Sequence, residues 1–171
     1  ENTNILKTGT TDITSKDDKV DHKINYQTEV NNYIGNGTIT IIDTLPYEID
    51  TNRKYDLDGG VYDAQNKTIT WVENISDVNT YVDGVKNIAI EKQISFYYKD
   101  LNIEEEKVTN TAKGVLSLET VSDVERQTTF DTSVNINGKL VVKHVDINGN
   151  ELLRKKRLKK LALLTKLLRK K

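Results

Sequence analysis

TITIIDTLP, residues Thr38–Pro46, decides the fold, since apolar and polar residues alternate up to the only proline of the chain. Side chains of a β-strand point alternately to its two faces, so Ile39, Ile41 and Leu45 share one face. Asp43 lies on the same face as these apolar residues. The stretch therefore predicts a strand that carries a carboxyl group into the core, where an unpaired polar group is costly.

A second strand signature, VTNTA at Val108–Ala112, repeats this pattern. Asn110 shares a face with the first and last residues of that stretch, and near the N-terminus Lys7 shares a face with Ile5. The carboxyl group, the amide and the amine of these three residues therefore lie on the same strand faces as their apolar neighbours. Brought together, these three groups are the ingredients of an intramolecular Lys–Asn amide crosslink.

The composition of the 171 residues is that of a soluble protein, with 36% hydrophobic and 30% charged residues. The length is sufficient for one domain with a substantial core and an appendage. No cysteine is present, which excludes disulfides, thiolate metal sites and a thiol nucleophile. Methionine is also absent, so we interpret the chain as an excised or processed segment. No apolar run is long enough to span a membrane.

Residues 1–150 read as short strands separated by turns, with little helical periodicity. The clearest strands are predicted at Val20–Val30, Thr38–Leu45, Lys67–Val72, Asn87–Tyr98, Lys107–Leu118 and Gly138–Val145. Asp123–Asn135 reads as a weaker pair of strands, and the glycines in Leu57–Tyr62 predict a tight turn or a bulge. This spacing of strands predicts an all-β, antiparallel β-sandwich.

The charge of the chain changes sharply near its end. Residues 151–171 carry a net charge of +9, whereas residues 1–150 carry −10. Leucines in Leu152–Lys171 recur at three- to five-residue steps, as in a cationic amphipathic helix, and a disordered tail is the alternative. We interpret the tail either as a segment that is not native or as a basic segment that binds an anionic membrane surface or nucleic acid.

The quoted residues resemble those of isopeptide-forming Ig-like domains of Gram-positive fimbrial and surface adhesins, of the collagen-adhesin type. The resemblance covers about Asn4–Val121 and rests on these stretches: ILKTG at 5–9, the strand Lys23–Val30, IIDTLP at 41–46, LDGGVYD at 57–63, KTITW at 67–71 and VTNTA at 108–112. Gly138–Leu152 is similar to the opening of a mucin-binding-protein-like repeat. We therefore expect an Ig-like domain at 1–135, a linker or truncated repeat at 136–151, and the tail at 152–171.

The resemblance implies roles for three residues. Lys7 would supply the amine, Asn110 the amide that accepts it, and Asp43 the acid between them. An apolar core lowers the pKa of a lysine and raises that of an aspartate, so a neutral amine can attack the Asn110 carbonyl. A protonated Asp43 would polarise this carbonyl and shuttle protons as ammonia leaves. The reaction occurs once in each molecule and needs no cofactor or metal.

Each of these residues also has an alternative interpretation. Asp43 would cap a turn before Pro46, and Asn110 would satisfy backbone groups at a strand end. Lysine usually lies on a solvated face, which makes Lys7 the least secure of the three. Lys23 is the alternative amine, although its parity places it opposite Ile24 and toward solvent.

Other candidate sites give weaker signals. His22 and His144 are far apart with no neighbouring ligand pattern, so we expect no metal site. Asp56–Gly60 and Asp146–Glu151 resemble fragments of calcium loops but lack the full spacing, and we interpret both as turns. Tyr81, Tyr97 and Tyr98 would be exposed and could contribute to a ligand surface, although such residues more often fill sheet faces.

The leading functional hypothesis is a structural stalk or pilin-like adhesin module of a bacterial cell-surface protein, outside the cell at the cell wall. Its partners would be neighbouring domains of a longer surface protein. The alternative is a ligand-binding adhesin domain that recognises a host protein or glycan. A third hypothesis is a cationic peptide carrier, whose contact with membranes depends on the basic tail. We expect neither turnover catalysis nor nucleic-acid binding.

Overall fold

The computed structural model describes residues 2–33, 35–75, 84–102 and 104–136, and the backbone of residues 143–145 and 151–153. These residues form strands and contain no α-helix, which confirms the all-β class. The strands are β1 Asn4–Gly9, β2 Asp12–Ile13, β3 Val20–Asn31, β4 Gly37–Thr44, β5 Val61–Asp63, β6 Thr68–Ile75, β7 Val85–Phe96, β8 Lys107–Leu118, β9 Val124–Val134, β10 Lys143–Val145 and β11 Glu151–Leu153.

Two sheets make up the sandwich. The small sheet has the strand order β1-β3-β7, and the large sheet has the order β2-β9-β8-β4-β6-β5. Pairing is antiparallel except between β2 and β9, where Asp12 aligns with Ser133 in a parallel register. The chain therefore passes from the small sheet to the large sheet between β1 and β2. β10 and β11 pair with each other as a separate two-stranded sheet.

The sandwich forms because its long strands bury alternate residues. In β8, inward-facing positions from Val108 to Leu118 are buried, while the residues between them are exposed or partly exposed. β3 has the same period, beginning with the buried Val20. The inner faces of both sheets contribute to one core, which includes Ile5, Ile24, Tyr26, Ile39, Ile41, Ile69, Trp71, Phe96, Ala112 and Leu116. Burial of these faces is the main favourable contribution to folding.

The loop between β4 and β5 closes one end of the sandwich. Its Asp50 N–H donates to the Tyr97 carbonyl at 2.8 Å, and Asp56 exchanges backbone hydrogen bonds with Ser95. Tyr98 pairs with this loop and is buried. The expectation that Tyr98 is exposed is therefore wrong, because the loop folds over it. Tyr97 is partly buried beneath the Arg53 guanidinium, which lies 3.7 Å from the centre of its ring.

The turn predicted within Leu57–Tyr62 is present. Gly60 N–H donates to the Leu57 carbonyl at 2.9 Å, and both intervening residues, Asp58 and Gly59, have positive φ angles of 53° and 76°. The indole Nε1 of Trp71 donates to the carbonyls of Leu57 and Asp58, each at 3.0 Å. The turn is thus anchored to the core by the only tryptophan of the chain.

One strand prediction differs from the structure, and another lies mostly outside the described residues. Asp123–Asn135 is not a pair of strands, since it contains the single eleven-residue strand β9. This strand is long because it follows β8 from Lys107 to Leu116 in continuous register. Of the strand predicted at Gly138–Val145, only β10 falls within the described residues.

Several predictions concern parts of the chain outside the described residues. Tyr81 and the basic tail from residue 154 onward are among them, so neither a helical nor a disordered tail is tested. Leu152 and Leu153, which we assigned to the tail, belong to the backbone of β11. Within the described part of the chain, no helix has the length and apolar character needed to cross a membrane.

Candidate functional site

The first element of the site is β1, which carries Lys7 into the core. Its burial alternates, so that Ile5 and Lys7 face inward while Leu6 is exposed. Lysine is almost never buried without a partner, and only 7% of Lys7 is exposed. The inward direction predicted from sequence parity is therefore confirmed for this residue.

The second element is the end of β4. Asp43 is fully buried and lies between Ala112 on β8 and Ile69 on β6 in the register of the large sheet. It is the last inward-facing residue of β4, one residue before the strand ends at Thr44. Strand alternation thus places a carboxyl group in the middle of the six-stranded sheet, facing the small sheet.

The third element is β8, which supplies Asn110. Only 2% of this residue is exposed, and it aligns with Phe130 on β9. Asn110 lies two residues before Ala112, which aligns with Asp43, so the amide and the carboxyl are diagonal neighbours on adjacent strands. The large sheet therefore provides both groups, and the small sheet provides the amine.

The three side chains meet at the carboxyl group of Asp43. Lys7 Nζ donates to Asp43 Oδ1 at 2.6 Å, and both side chains are inaccessible to solvent. Asn110 Nδ2 donates to Asp43 Oδ2 at 2.9 Å. Each carboxyl oxygen thus contacts one of the other two side chains. The structure brings together all three residues that the sequence singled out.

Burial shifts the protonation of the amine and the acid in opposite directions. Desolvation lowers the pKa of Lys7, and the nearby Asp43 opposes this shift. Desolvation also raises the pKa of Asp43, against the effects of Lys7 and Asn110. Both directions favour a neutral amine beside a neutral acid over an ion pair, because charges are costly in an apolar core.

The amide of Asn110 presents its nitrogen to Asp43. Its Oδ1 atom is buried and has no hydrogen-bond partner among the residues that the structure describes. We expected Asp43 to polarise the carbonyl, but this orientation directs the acid at Nδ2. The arrangement therefore suits transfer of a proton to the leaving nitrogen more directly than polarisation of the oxygen.

Sequence reasoning missed His22 as part of the site. This residue is 2% exposed, and its ring stacks on Phe96 and meets Phe130 edge-on. We considered His22 only as a metal ligand, although its parity places it on the same face as Ile24 and Tyr26. That alternation was the signal that could have identified it.

The alternative amine lies elsewhere. Lys23 is on the outer face of β3, where its amine is 3.3 Å from Glu91 and 44% of its side chain is exposed. Among the described residues, no group of three or more side chains is arranged to hold a metal ion. Asp56 and Asp58, in one of the calcium-like fragments, accept backbone hydrogen bonds from Asp58 and Gln93 respectively. The Asp56 carboxyl group therefore takes part in the local turn, and the Asp58 carboxyl group connects that turn to β7.

Comparison with known proteins identifies relatives in structure but not in sequence. No family model and no curated protein matches the chain. The full-length major pilin SpaD from Corynebacterium diphtheriae matches 77% of this chain, with 13% identity and a TM-score of 0.50. The match spans 35% of the length of that pilin, about a third. At this identity the likeness shows the fold alone, an Ig-like β-sandwich that also occurs in a bacterial pilin.

Two collagen-binding proteins match with lower TM-scores. ACE19, the collagen-binding subdomain of the Enterococcus faecalis surface protein ACE, matches 75% of this chain and 95% of its own length, at 13% identity and a TM-score of 0.37. A collagen-binding domain from a Staphylococcus aureus adhesin matches 76% of this chain and 95% of its own length, at 16% identity and 0.37.

Proposed function

We propose that the chain is a structural stalk or adhesin module of a bacterial cell-surface protein, stabilised by an amide bond between Lys7 and Asn110. The observation that carries this proposal is that Asp43 contacts both side chains within a buried site. The module acts outside the cell, and its partners are neighbouring domains of a longer protein. The likeness to a pilin in fold is consistent with this role.

The first step of the proposed reaction requires a neutral amine. An ammonium group has no lone pair and cannot attack a carbonyl carbon. Burial lowers the pKa of Lys7 and raises that of Asp43, and both shifts favour transfer of the proton of this pair from the amine to the carboxyl group. The contact of 2.6 Å between Nζ and Oδ1 provides the path for that transfer.

Bond formation then exchanges one amide for another. With the carboxyl proton on Oδ2, which faces Nδ2 of Asn110, the Lys7 Nζ lone pair attacks Cγ of Asn110, and Nζ releases a proton to Oδ1 of Asp43. The proton that Asp43 already carried passes to Nδ2, the Cγ–Nδ2 bond breaks, and ammonia leaves. Asp43 ends with one proton, as it began. Each molecule therefore reacts once, and no external reactant is consumed.

The mass of the intact folded protein tests the proposal. We expect the native chain to be lighter than its sequence by one ammonia molecule, and Lys7→Ala, Asp43→Ala and Asn110→Ala to have full sequence mass. Lys23→Ala is the matched control, since it removes the alternative amine and should retain the deficit. Tandem mass spectrometry should find the branched peptide at Lys7. A folded native chain of full mass would refute the crosslink but not the sandwich.

A further inference from the structure

His22 is a buried titratable group that the proposed reaction does not use. It aligns with Gly9 in the register of β3 and β1, and Lys7 lies two residues before Gly9 on the same face of β1. His22 and Lys7 are therefore diagonal neighbours across the two strands, a separation over which long side chains interact. The imidazole belongs to the same buried cluster as the amine.

The ring of His22 is tightly enclosed, which leaves little room for the water molecules that would hydrate a protonated imidazole. The ring centroid of His22 is 6.2 Å from that of Phe96 on β7 and 5.5 Å from that of Phe130 on β9. A Cβ atom on residue 9 would overlap the Nδ1 atom of His22, so glycine is needed at that position. Three strands thus enclose the imidazole between two aromatic rings and the backbone of Gly9.

Burial and charge both favour the neutral imidazole. Desolvation and then the positive charge of Lys7 lower the pKa of His22 to about 3, against a smaller opposing effect of the Thr8 backbone. Lys7 is the titratable group that faces it from β1, while β7 and β9 contribute the phenylalanine rings. Asp43 on β4 belongs to the same cluster because it contacts Lys7.

We propose that His22 makes formation of the Lys7–Asn110 bond pH-dependent, because the imidazole must lose its proton before β1 and β3 can pack around Lys7. This inference rests on the proposed crosslink and adds a condition under which it forms. When the pH falls below the range in which an exposed histidine titrates, the folded chain that has not yet formed the bond becomes less stable. The bond then forms more slowly, because the three reacting groups meet only in the folded chain.

Proton counting separates His22 from the other two titratable groups. Lys7 and Asp43 together hold one proton in the unfolded chain near neutral pH, and they hold one proton in the folded site whichever residue carries it. The pair therefore adds no pH dependence in this range. His22 differs, since an unfolded chain binds a proton near pH 6.5 and the folded chain does not until about pH 3. Between these values folding releases up to one proton, and the unfolding equilibrium constant rises by up to about tenfold per pH unit of acidification.

The rate of bond formation tests this proposal. Chain purified in denaturant, before it has folded, is diluted into urea near its unfolding midpoint, so that the folded fraction limits the reaction. Loss of ammonia is followed by intact mass between about pH 7 and pH 5. We expect the native rate to fall by up to about tenfold per pH unit below 6.5. His22→Gln and His22→Leu should show a flat profile, whereas His144→Gln, which removes the other histidine, should behave as the native chain.

The outcomes separate this inference from the proposed function. Full mass at every pH would refute the crosslink itself. A crosslink that forms with the same pH profile in the native chain and in His22→Gln would overturn the role of His22 alone. If the His22 variants do not fold, the ring signals of His22 in the His144→Gln protein give the answer by NMR. A ring that stays neutral down to pH 5 supports the proposal, and a titration midpoint near 6.5 overturns it.

Discussion

Asp43 accepts a hydrogen bond from Asn110 through Oδ2, the carboxyl oxygen that does not contact Lys7. One carboxyl group therefore faces the proposed nucleophile and the proposed leaving group at the same time. A carboxamide at this position would occupy the same volume but could not carry a proton between them.

We therefore predict that Asp43→Asn keeps the full sequence mass after folding. Asp43→Ala should do the same and should also leave Lys7 buried without an acid. Its unfolding free energy should lie about 1–3 kcal/mol below that of Asn110→Ala, which also lacks the bond but retains the acid, because the buried amine loses its hydrogen-bond partner. Urea unfolding measures this difference. The control is Asp63→Asn, at an exposed carboxyl group at the end of β5. Loss of ammonia from Asp43→Asn at the native rate would contradict the prediction.

Asn110→Ala should unfold more easily than the native chain. The proposed bond closes a loop of about 100 residues, and a covalent link over such a loop stabilises by about 4–5 kcal/mol in the chain-entropy model. We expect a lower melting temperature and faster proteolysis in this variant. The matched control is Thr109→Ala, one residue earlier on the outer face of β8, which should keep the ammonia deficit. Equal melting temperatures for Asn110→Ala and the native chain would count against a bond in the native protein.

Gly114→Ala should destabilise the sandwich by overpacking. A Cβ atom at residue 114 would lie 2.6 Å from Cδ2 and Cε2 of Tyr26, a fully buried side chain of the opposite sheet. Overpacking of this kind costs about 1–3 kcal/mol. Gly59→Ala is an informative comparison, because nothing lies within 4 Å of its Cβ position and its cost comes from a φ of +76°. A Gly114→Ala variant as stable as the native chain would show that the sheets separate readily at Tyr26.

Asp18 should stabilise the fold at neutral pH and not in strong acid. Its carboxylate accepts hydrogen bonds from the backbone N–H groups of Thr14 at 2.8 Å and Ser15 at 3.0 Å, which lower its pKa. A lowered pKa means that the stabilisation is complete above 3.8 and is lost as pH falls through the folded value. Asp18→Asn should therefore reduce the urea midpoint at pH 7, with the difference shrinking in acid. Asp21→Asn, at an exposed position on β3, serves as the control.

The sequence predicted those parts of the fold that strand alternation determines. The predicted bounds of β8, Lys107–Leu118, are those of the structure, because every second residue of that strand faces the core and all of these except Asn110 are apolar or small. β9 was harder to predict because the residues in line with its buried Thr132 and Val134 include the polar Arg126 and Thr128, and pairing with β8 rather than its own pattern makes it continuous. The two residues of β2 carry too little pattern to be recognised, and their parallel pairing with β9 depends on the folded chain.

The candidate site was predictable in its residues but not in its geometry. Parity placed Lys7, Asp43 and Asn110 on inward faces, and the structure gives each of them this orientation. Parity does not reveal which amide atom faces the acid, since that depends on side-chain rotation within the packed core. The burial of Tyr98 was also hidden, because it results from a loop more than forty residues earlier in the chain, through the pairing of Ile49 with Tyr98.

The placement of Lys7 and Asn110 in different sheets has a consequence for a chain under tension. Force applied at the two ends of the domain would enter at β1 and, if the amide bond is present, pass directly to β8. The strands between them would then bear none of that load. The bond would prevent extension of the segment between Lys7 and Asn110, whose contour length is roughly 350 Å at about 3.4 Å per residue. The domain would therefore keep its length under a force that extends an uncrosslinked sandwich.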